Sequence, residues 1–182
     1  MERHYDLFEV DRGRSIWHAQ VIGSAQVGLK LRELSKSTPN ECLAVHLPTN
    51  DVVARLNVRP ANSEAPLIFQ LAYDPKLALA LSHELTLHGY QFGFAADNEL
   101  ARAMLSEPMP CDLFIVGYAA SDESRREMAA WLKGRYPKVP IIALGSPAQP
   151  TLPGADYNLE LPSNDALLPT IVRALGAGRN GE

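Results

Sequence analysis

The sequence has little cysteine and no long apolar run, and each absence excludes a class of protein. Its two cysteines, Cys42 and Cys111, lie far apart and form no CxxC pair, so neither a disulfide framework nor a structural zinc site is indicated. No apolar stretch approaches the roughly 18 residues that span a bilayer, and the start of the chain has no signal-peptide pattern. We therefore expect a cytoplasmic protein without a membrane segment.

The chain also lacks an excess of positive charge. Its 17 Lys and Arg stand against 21 Asp and Glu, a net charge of -4, which argues against direct nucleic-acid binding. Residues 1–62 have 8 basic and 7 acidic side chains, while residues 63–182 have 9 and 14. The histidines form no HExxH motif, and no GxxxxGK or GxGxxG phosphate loop occurs, so we expect neither a metal nor a cofactor.

Residues 1–60 show the pattern of a small ββαββ domain. Two alternating runs around the turn at 11–14 predict a hairpin, and the runs at 41–47 and 52–58 predict another. Between the hairpins, apolar residues at helical spacing follow Ser24, which we expect to be the N-cap of the helix. An antiparallel sheet with one helix across it is marginal at about 60 residues. We expect it to lean on the rest of the chain or on a second copy, most simply in a homodimer.

A polar linker at 61–66 leads into a different pattern over 67–178. Five short apolar strands alternate with amphipathic helices, which predicts an α/β domain with a doubly wound, five-stranded parallel sheet. Prolines at 147, 150 and 153 exclude a helix between the fourth and fifth strands. The predicted domains are therefore 1–60 and 67–178.

The segment 67–178 resembles the receiver domain of two-component response regulators, a flavodoxin-like fold with strand order 2-1-3-4-5. The residues that support this resemblance follow the expected strands in order. They are Asp74-Pro75, Ala95-Ala-Asp97, the run from Cys111 to Val116, the run from Tyr136 to Leu144, and Gly154-Ala-Asp156.

The resemblance implies a phosphorylation site, but its chemical groups are missing. Receivers hold magnesium with an acidic pair after the first strand, and here Ala72 and Tyr73 occupy those positions. The phosphoacceptor aspartate, the hydroxyl and the lysine that follow later strands are replaced by Gly117, Gly145 and Leu161. The resemblance thus implies a pseudo-receiver that cannot be phosphorylated in the usual way.

The former phosphorylation pocket is the candidate binding site. Its residues are Ala72, Tyr73, Asp74, Gly117, Tyr118, Gly145, Ser146 and Leu161. Either Tyr73 and Tyr118 fill the space, or the two tyrosines frame a pocket for a small molecule or nucleotide. We expect a non-enzymatic signalling protein that acts through protein partners, with a small-molecule sensor as the alternative. An enzyme has the least support, because no nucleophile, base and orienting group meet at one sheet edge.

Overall fold

The computed structural model describes residues 3–58, 64–160 and 164–179, which form nine strands and five helices. The strands are β1 (His4–Asp11), β2 (Arg14–Ile22), β3 (Glu41–His46), β4 (Asp51–Val58), β5 (Leu67–Leu71), β6 (Gln91–Ala95), β7 (Leu113–Val116), β8 (Ile141–Gly145) and β9 (Tyr157–Glu160). The helices are α1 (Ser24–Ser37), α2 (Pro75–Leu87), α3 (Asn98–Met104), α4 (Asp122–Arg135) and α5 (Asn164–Arg179). Within the described ranges, no helix is long and apolar enough to cross a membrane.

The parallel part of the sheet has the order predicted from the sequence. Strands β6-β5-β7-β8-β9 lie side by side and all pair in parallel, which is the order 2-1-3-4-5. Every residue of β7 is buried, as expected of a strand with helices on both faces. The prediction of an α/β fold with a parallel, flavodoxin-like sheet is confirmed.

The four N-terminal strands do not form a sheet of their own, which corrects the predicted architecture. Strand β4 pairs antiparallel with β6, with Ala54 opposite Ala95 and Arg55 opposite Phe94. The result is one nine-stranded sheet in the order β2-β1-β3-β4-β6-β5-β7-β8-β9. The pairing satisfies the backbone N–H and C=O groups at the edge of β6. The domain boundary at 61–66, of which 61–63 lie outside the described residues, stays a prediction.

Helices cover both faces of the sheet. One apolar core, with residues such as Leu31, Leu100 and Met128, places α1, α3 and α4 on the same face. The other core includes Leu85 and Ile171 and places α2 and α5 on the opposite face. Helix α1 thereby extends the helical layer of the receiver-like part.

Helices α1 and α3 approach closely at a glycine. A Cβ atom at Gly28 would lie 2.6 Å from the Cβ of Ala103 and 2.7 Å from the carbonyl oxygen of Leu100. Distances this short require the residue at position 28 to have no side chain. The N-terminal helix is therefore fitted to a particular neighbour in the receiver-like segment.

The start of α1 differs from the expected one. Gly23 is the N-cap, and Ser24 is the first helical residue rather than the cap. The Ser24 hydroxyl instead donates to Asp97 Oδ2 at 3.2 Å and contacts the Tyr5 hydroxyl at 3.1 Å. The Ser24 hydroxyl is thus bonded to Asp97, the N-cap of α3, and does not cap α1.

The connection between β8 and β9 contains no helix, as the prolines predicted. Residues 146–156 form turns and irregular backbone.

Candidate functional site

The carboxyl ends of β5, β7 and β8 bring the predicted site residues to one edge of the sheet. Leu71 pairs with Val116, and Val116 with Ala143, so the residues that follow these strands are neighbours. The backbone N–H of Gly117 donates to the carbonyl oxygen of Leu71 at 2.7 Å. The predicted position Leu161 lies outside the described residues.

Position 117, to which the sequence resemblance assigns the phosphoacceptor, has no room for a side chain. A Cβ atom at Gly117 would lie 2.5 Å from the carbonyl oxygen of Ala72 and 2.9 Å from that of Leu71. Both obstacles are backbone atoms of the neighbouring strand end, which a rotamer change cannot move. An aspartate at position 117 therefore requires the ends of β5 and β7 to separate.

Position 145, to which the sequence resemblance assigns the hydroxyl-bearing residue, does have room for a Cβ atom. A Cβ atom at Gly145 would meet its nearest neighbour, the carbonyl oxygen of Leu159, at 3.7 Å. This is ordinary van der Waals contact. The lack of room for a side chain is therefore specific to Gly117 and is not shared by Gly145 at the same sheet edge.

A buried arginine on α4, which the sequence-based interpretation missed, crosses the site. Arg125 is 1% exposed. Its Nε donates to the carbonyl oxygen of Gly117 at 2.9 Å, and its Nη2 donates to that of Leu144 at 2.7 Å. Its Nη1 lies 3.5 Å from Asp122 Oδ1. A fixed positive charge therefore ties together the ends of β7 and β8.

The spacing of residues along α4 contained a signal for this arginine. Arg125 precedes Met128 by three positions and Leu132 by seven, and all three are buried. Residues at these spacings share one helix face. A charged residue on an otherwise apolar helix face predicts a buried charged side chain with hydrogen-bond or ion-pair partners inside the protein.

Tyr73 fills the side of the site next to α3 and α4. Its hydroxyl donates to Asn98 Oδ1 at 2.6 Å, and Asn98 Nδ2 donates to the carbonyl oxygen of Ser124 at 2.9 Å. Burial raises the pKa of Tyr73 to about 12. Its φ of 54° is uncommon for a residue with a large side chain. The tyrosine thus connects the end of β5 to the starts of two helices.

Asp74, the nearest substitute for a lost metal ligand, has another role. Its Oδ1 accepts hydrogen bonds from the backbone N–H groups of Lys76 at 3.0 Å and Leu77 at 3.3 Å. It is the N-cap of α2. In the part of the chain that the structure describes, no three His, Cys, Asp or Glu side chains are grouped to hold a metal ion.

Ser146 and Tyr118 contribute backbone atoms to the far side of the site. Gln149 bridges them, because its Oε1 accepts from the Ser146 N–H at 3.1 Å and its Nε2 donates to the Tyr118 carbonyl oxygen at 2.9 Å. The cavity here is about 80 Å³, and Arg125 and Gly145 are among its lining residues. Ligand pockets are usually about 300 Å³ or larger, so this space fits a few waters.

Comparison with solved structures relates this geometry to receiver domains. A response regulator receiver domain protein (CheY-like) from Methanospirillum hungatei is 19% identical, with a TM-score of 0.57 over 65% of this chain and 100% of that chain. The receiver domain of a histidine kinase from Syntrophus aciditrophicus is 27% identical, with a TM-score of 0.52 over 63% of this chain and 92% of that chain. A response regulator protein from Thermotoga maritima, solved in complex with Mg²⁺ and BeF, is 22% identical, with a TM-score of 0.51 over 60% of this chain and 98% of that chain. No protein-family profile and no curated protein sequence matches the chain. The chain therefore contains the fold of response regulator receiver domains.

Proposed function

We propose that the chain is a non-enzymatic signalling protein in which a receiver-like segment acts through protein contacts and independently of phosphorylation. The observation that carries this proposal is the geometry at Gly117. Backbone atoms of β5 occupy the place where a phosphoacceptor side chain would begin. In this proposal the partners of the chain are signalling proteins, and a second copy of the chain is one of these partners.

The charge at the site supports the same proposal. Receivers need carboxylates to bind magnesium, a hard cation that prefers oxygen ligands. Here the guanidinium of Arg125 lies at the strand ends, and the carboxylate of Asp74 caps a helix. Magnesium therefore lacks a pair of free carboxylates at this edge, and Gly117 supplies no acceptor for a phosphoryl group.

The alternative function, recognition of a small molecule or nucleotide in the emptied pocket, has less support. The cavity beside Arg125 measures about 80 Å³, and Tyr73 is hydrogen-bonded across the neighbouring space. A nucleotide would have to displace both the tyrosine and the Gln149 bridge.

Incubation with labelled acetyl phosphate and Mg²⁺ tests the proposal, with an active receiver domain as positive control. We expect no label on the wild-type chain, because it has neither an acceptor at position 117 nor a free carboxylate pair for magnesium. Labelled phosphate that stays on the wild-type protein through a denaturing gel would overturn the proposal.

A further inference from the structure

Strand β2 is an edge of the nine-stranded sheet and has free backbone groups. Among the described strands it pairs with β1 alone. The carbonyl oxygen of His4 on β1 accepts from the Leu47 N–H, on the side of β1 that faces away from β2. Bonded and non-bonded residue pairs alternate along an antiparallel ladder. Ile22, which lies opposite His4, and Gln20, two residues earlier, therefore direct their N–H and C=O groups outward, where a further strand can pair with them.

A largely apolar groove lies beside this edge, between β2 and α1. Its volume is about 290 Å³, and Leu7, Ala19 and Leu34 are among its lining residues. Two charged side chains at its rim are paired with each other, since Lys30 Nζ lies 2.9 Å from Glu33 Oε2. Ligand sites for whole small molecules begin at about 300 Å³, so this groove has the size for an apolar side chain or two.

The residues of β2 that face the groove follow one another along the edge. Ala19 lies opposite Leu7, and Ile16 lies opposite Glu9. Leu7 and Glu9 are two residues apart on β1 and share the face that α1 covers. Ile16 is 44% exposed there, and Arg14, two residues before it, points to the same side. A strand added to β2 would place alternate side chains beside Ala19, Ile16 and Arg14.

The turn that joins β1 to β2 gives this edge an excess of positive charge. Arg12 and Arg14 are exposed, and neither forms an ion pair within the described ranges. The carboxylate of Asp11, opposite Arg14, stands against both cations. Asp6 alternates with Leu7 along β1, so its carboxylate lies on the opposite face of the sheet. The edge therefore favours an occupant with an acidic side chain at the turn.

We propose that β2 binds an extended, acidic peptide segment of a partner protein as a further strand. This inference rests on the proposed function, since it names the surface and the kind of partner through which the chain acts. The outward backbone groups of Gln20 and Ile22 select an extended chain, and the groove beside Ala19 selects an apolar side chain. Pairing of two β2 strands would bring Arg14 no carboxylate, because residues 12–22 contain no Asp or Glu.

The direction of pairing specifies the order of side chains in the peptide. Antiparallel pairing is the more stable per residue, and an antiparallel peptide passes Ala19 first and Arg14 last. Strand β2 has a bulge between these positions, across which β1 keeps regular alternation. A peptide with the same alternation has the order apolar-x-apolar-x-acidic. The bulge limits regular pairing to a few residues on either side, so we expect weak, reversible binding.

Fluorescence anisotropy with the intact chain tests the proposal. The probe is a fluorescein-labelled, C-terminally amidated peptide of sequence Thr-Leu-Thr-Val-Thr-Glu-Thr, and we expect saturable binding. A second peptide with lysine in place of leucine should bind about tenfold more weakly or worse, because an ammonium gains nothing from the apolar groove. Equal binding of the two peptides, or no binding of the first at any soluble concentration, would overturn the proposal.

Two variants of the chain test the contacts separately. Gln20→Pro removes an outward N–H that β1 does not use, and proline is tolerated at such edge positions. It should weaken binding about tenfold with an unchanged melting temperature. Arg14→Glu should weaken binding of the probe and strengthen binding of a peptide with lysine in place of glutamate. Arg173→Glu, at an exposed position on α5, is the matched control and should leave both peptides unaffected. Failure of this charge exchange contradicts the assigned register.

Sedimentation of the chain without peptide tests a second copy as the occupant. A dimer of the wild-type chain that is lost in Gln20→Pro would show that β2 pairs with another β2, and would overturn the peptide assignment. The same sedimentation profile for both proteins supports it. Peptide binding and phosphate labelling are measured independently. Loss of the peptide assignment with an unlabelled chain therefore leaves the proposed function standing, whereas labelling of the chain overturns that function whatever β2 binds.

Discussion

The Nε atom of Arg125 lies 2.9 Å from the carbonyl oxygen of Gly117 and donates a hydrogen bond to it. This bond joins the first turn of α4 to the residue that follows β7. A second bond, from Nη2 to the Leu144 carbonyl oxygen, extends the contact to β8. The guanidinium thus holds two strand ends that carry no functional side chain.

Replacing Arg125 should destabilise the fold strongly. Arg125→Ala leaves two buried carbonyl oxygens without their charged donor, and we expect a loss of about 3 kcal/mol or more in the free energy of unfolding. Arg125→Lys should recover only part of it, because one ammonium cannot reproduce the planar fork of a guanidinium. Urea unfolding measures the effect. The control is Arg126→Ala, an exposed neighbour on α4 that should change stability by less than about 0.5 kcal/mol. Equal effects at the two positions would contradict the role of Arg125.

Adding one methyl group at Gly117 should cost more than at Gly145. The Cβ of Gly117→Ala would lie 2.5 Å from a backbone oxygen, and we expect a loss of about 1 to 3 kcal/mol from overpacking. At Gly145 the nearest atom is 3.7 Å away, so Gly145→Ala should change stability by less than about 1 kcal/mol. Thermal unfolding of the two variants gives the comparison. A smaller loss at Gly117 than at Gly145 would show that the ends of β5 and β7 separate easily.

Gln70, in the middle of β5, should be replaceable with a gain in stability. Its side chain is 0% exposed, and neither its Nε2 nor its Oε1 has a hydrogen-bond partner. Gln70→Leu removes the cost of burying an unpaired amide, which is about 1 to 3 kcal/mol. Gln149→Leu should have the opposite sign, because Gln149 bridges Ser146 and Tyr118. Chemical denaturation of both variants tests the difference, and a loss of stability in Gln70→Leu would point to a partner for its amide.

Stability above pH 10 should depend on Tyr73. Burial raises the pKa of Tyr73 from 10.0 to about 12 in the folded state, so folding favours the neutral hydroxyl. The contribution of Tyr73 to the free energy of unfolding is fully present below the pKa of the unfolded state. It is lost as the pH rises from about 10 towards 12. Cys42 and Cys111 have pKa values raised to about 12 and contribute in the same direction.

Comparison with Tyr73→Phe isolates the tyrosine from the two thiols. At neutral pH the variant should be less stable by about 1 kcal/mol, because the hydrogen bond to Asn98 is lost. Urea unfolding at several pH values should show this difference shrinking above pH 10. Parallel stability curves for the two proteins would contradict a buried hydroxyl at position 73.

A panel of nucleotides and metabolites should leave the melting temperature unchanged. A ligand at 100 times its dissociation constant would stabilise the fold by about 2.7 kcal/mol, which thermal shift detects readily. The cavity beside Arg125 is about 80 Å³, too small for these compounds. A clear, saturable shift with one compound would favour the sensor over the proposed function.

The small residues at the ends of the central strands were evident from the sequence, whereas the part that Arg125 plays beside them was not. Ala72, Gly117 and Gly145 follow apolar runs that predict buried strands, so their alignment at one sheet edge could be inferred. The role of Arg125 depends on a crossing between α4 and two strand ends that lie far from it along the chain. The close approach of β5 that excludes a side chain at Gly117 is equally a tertiary distance.

The sequence by itself determined the order of strands and helices, because apolar spacing and prolines act over a few residues. It also determined that alanine and glycine follow the central strands, since the identity of a residue needs no structure to establish it. The tertiary structure alone decided that β4 joins β6 in one sheet, because backbone hydrogen bonds at a strand edge leave no mark on the side-chain pattern. It likewise decided that Arg125 is bound to carbonyl oxygens, because its partners are backbone atoms of distant residues.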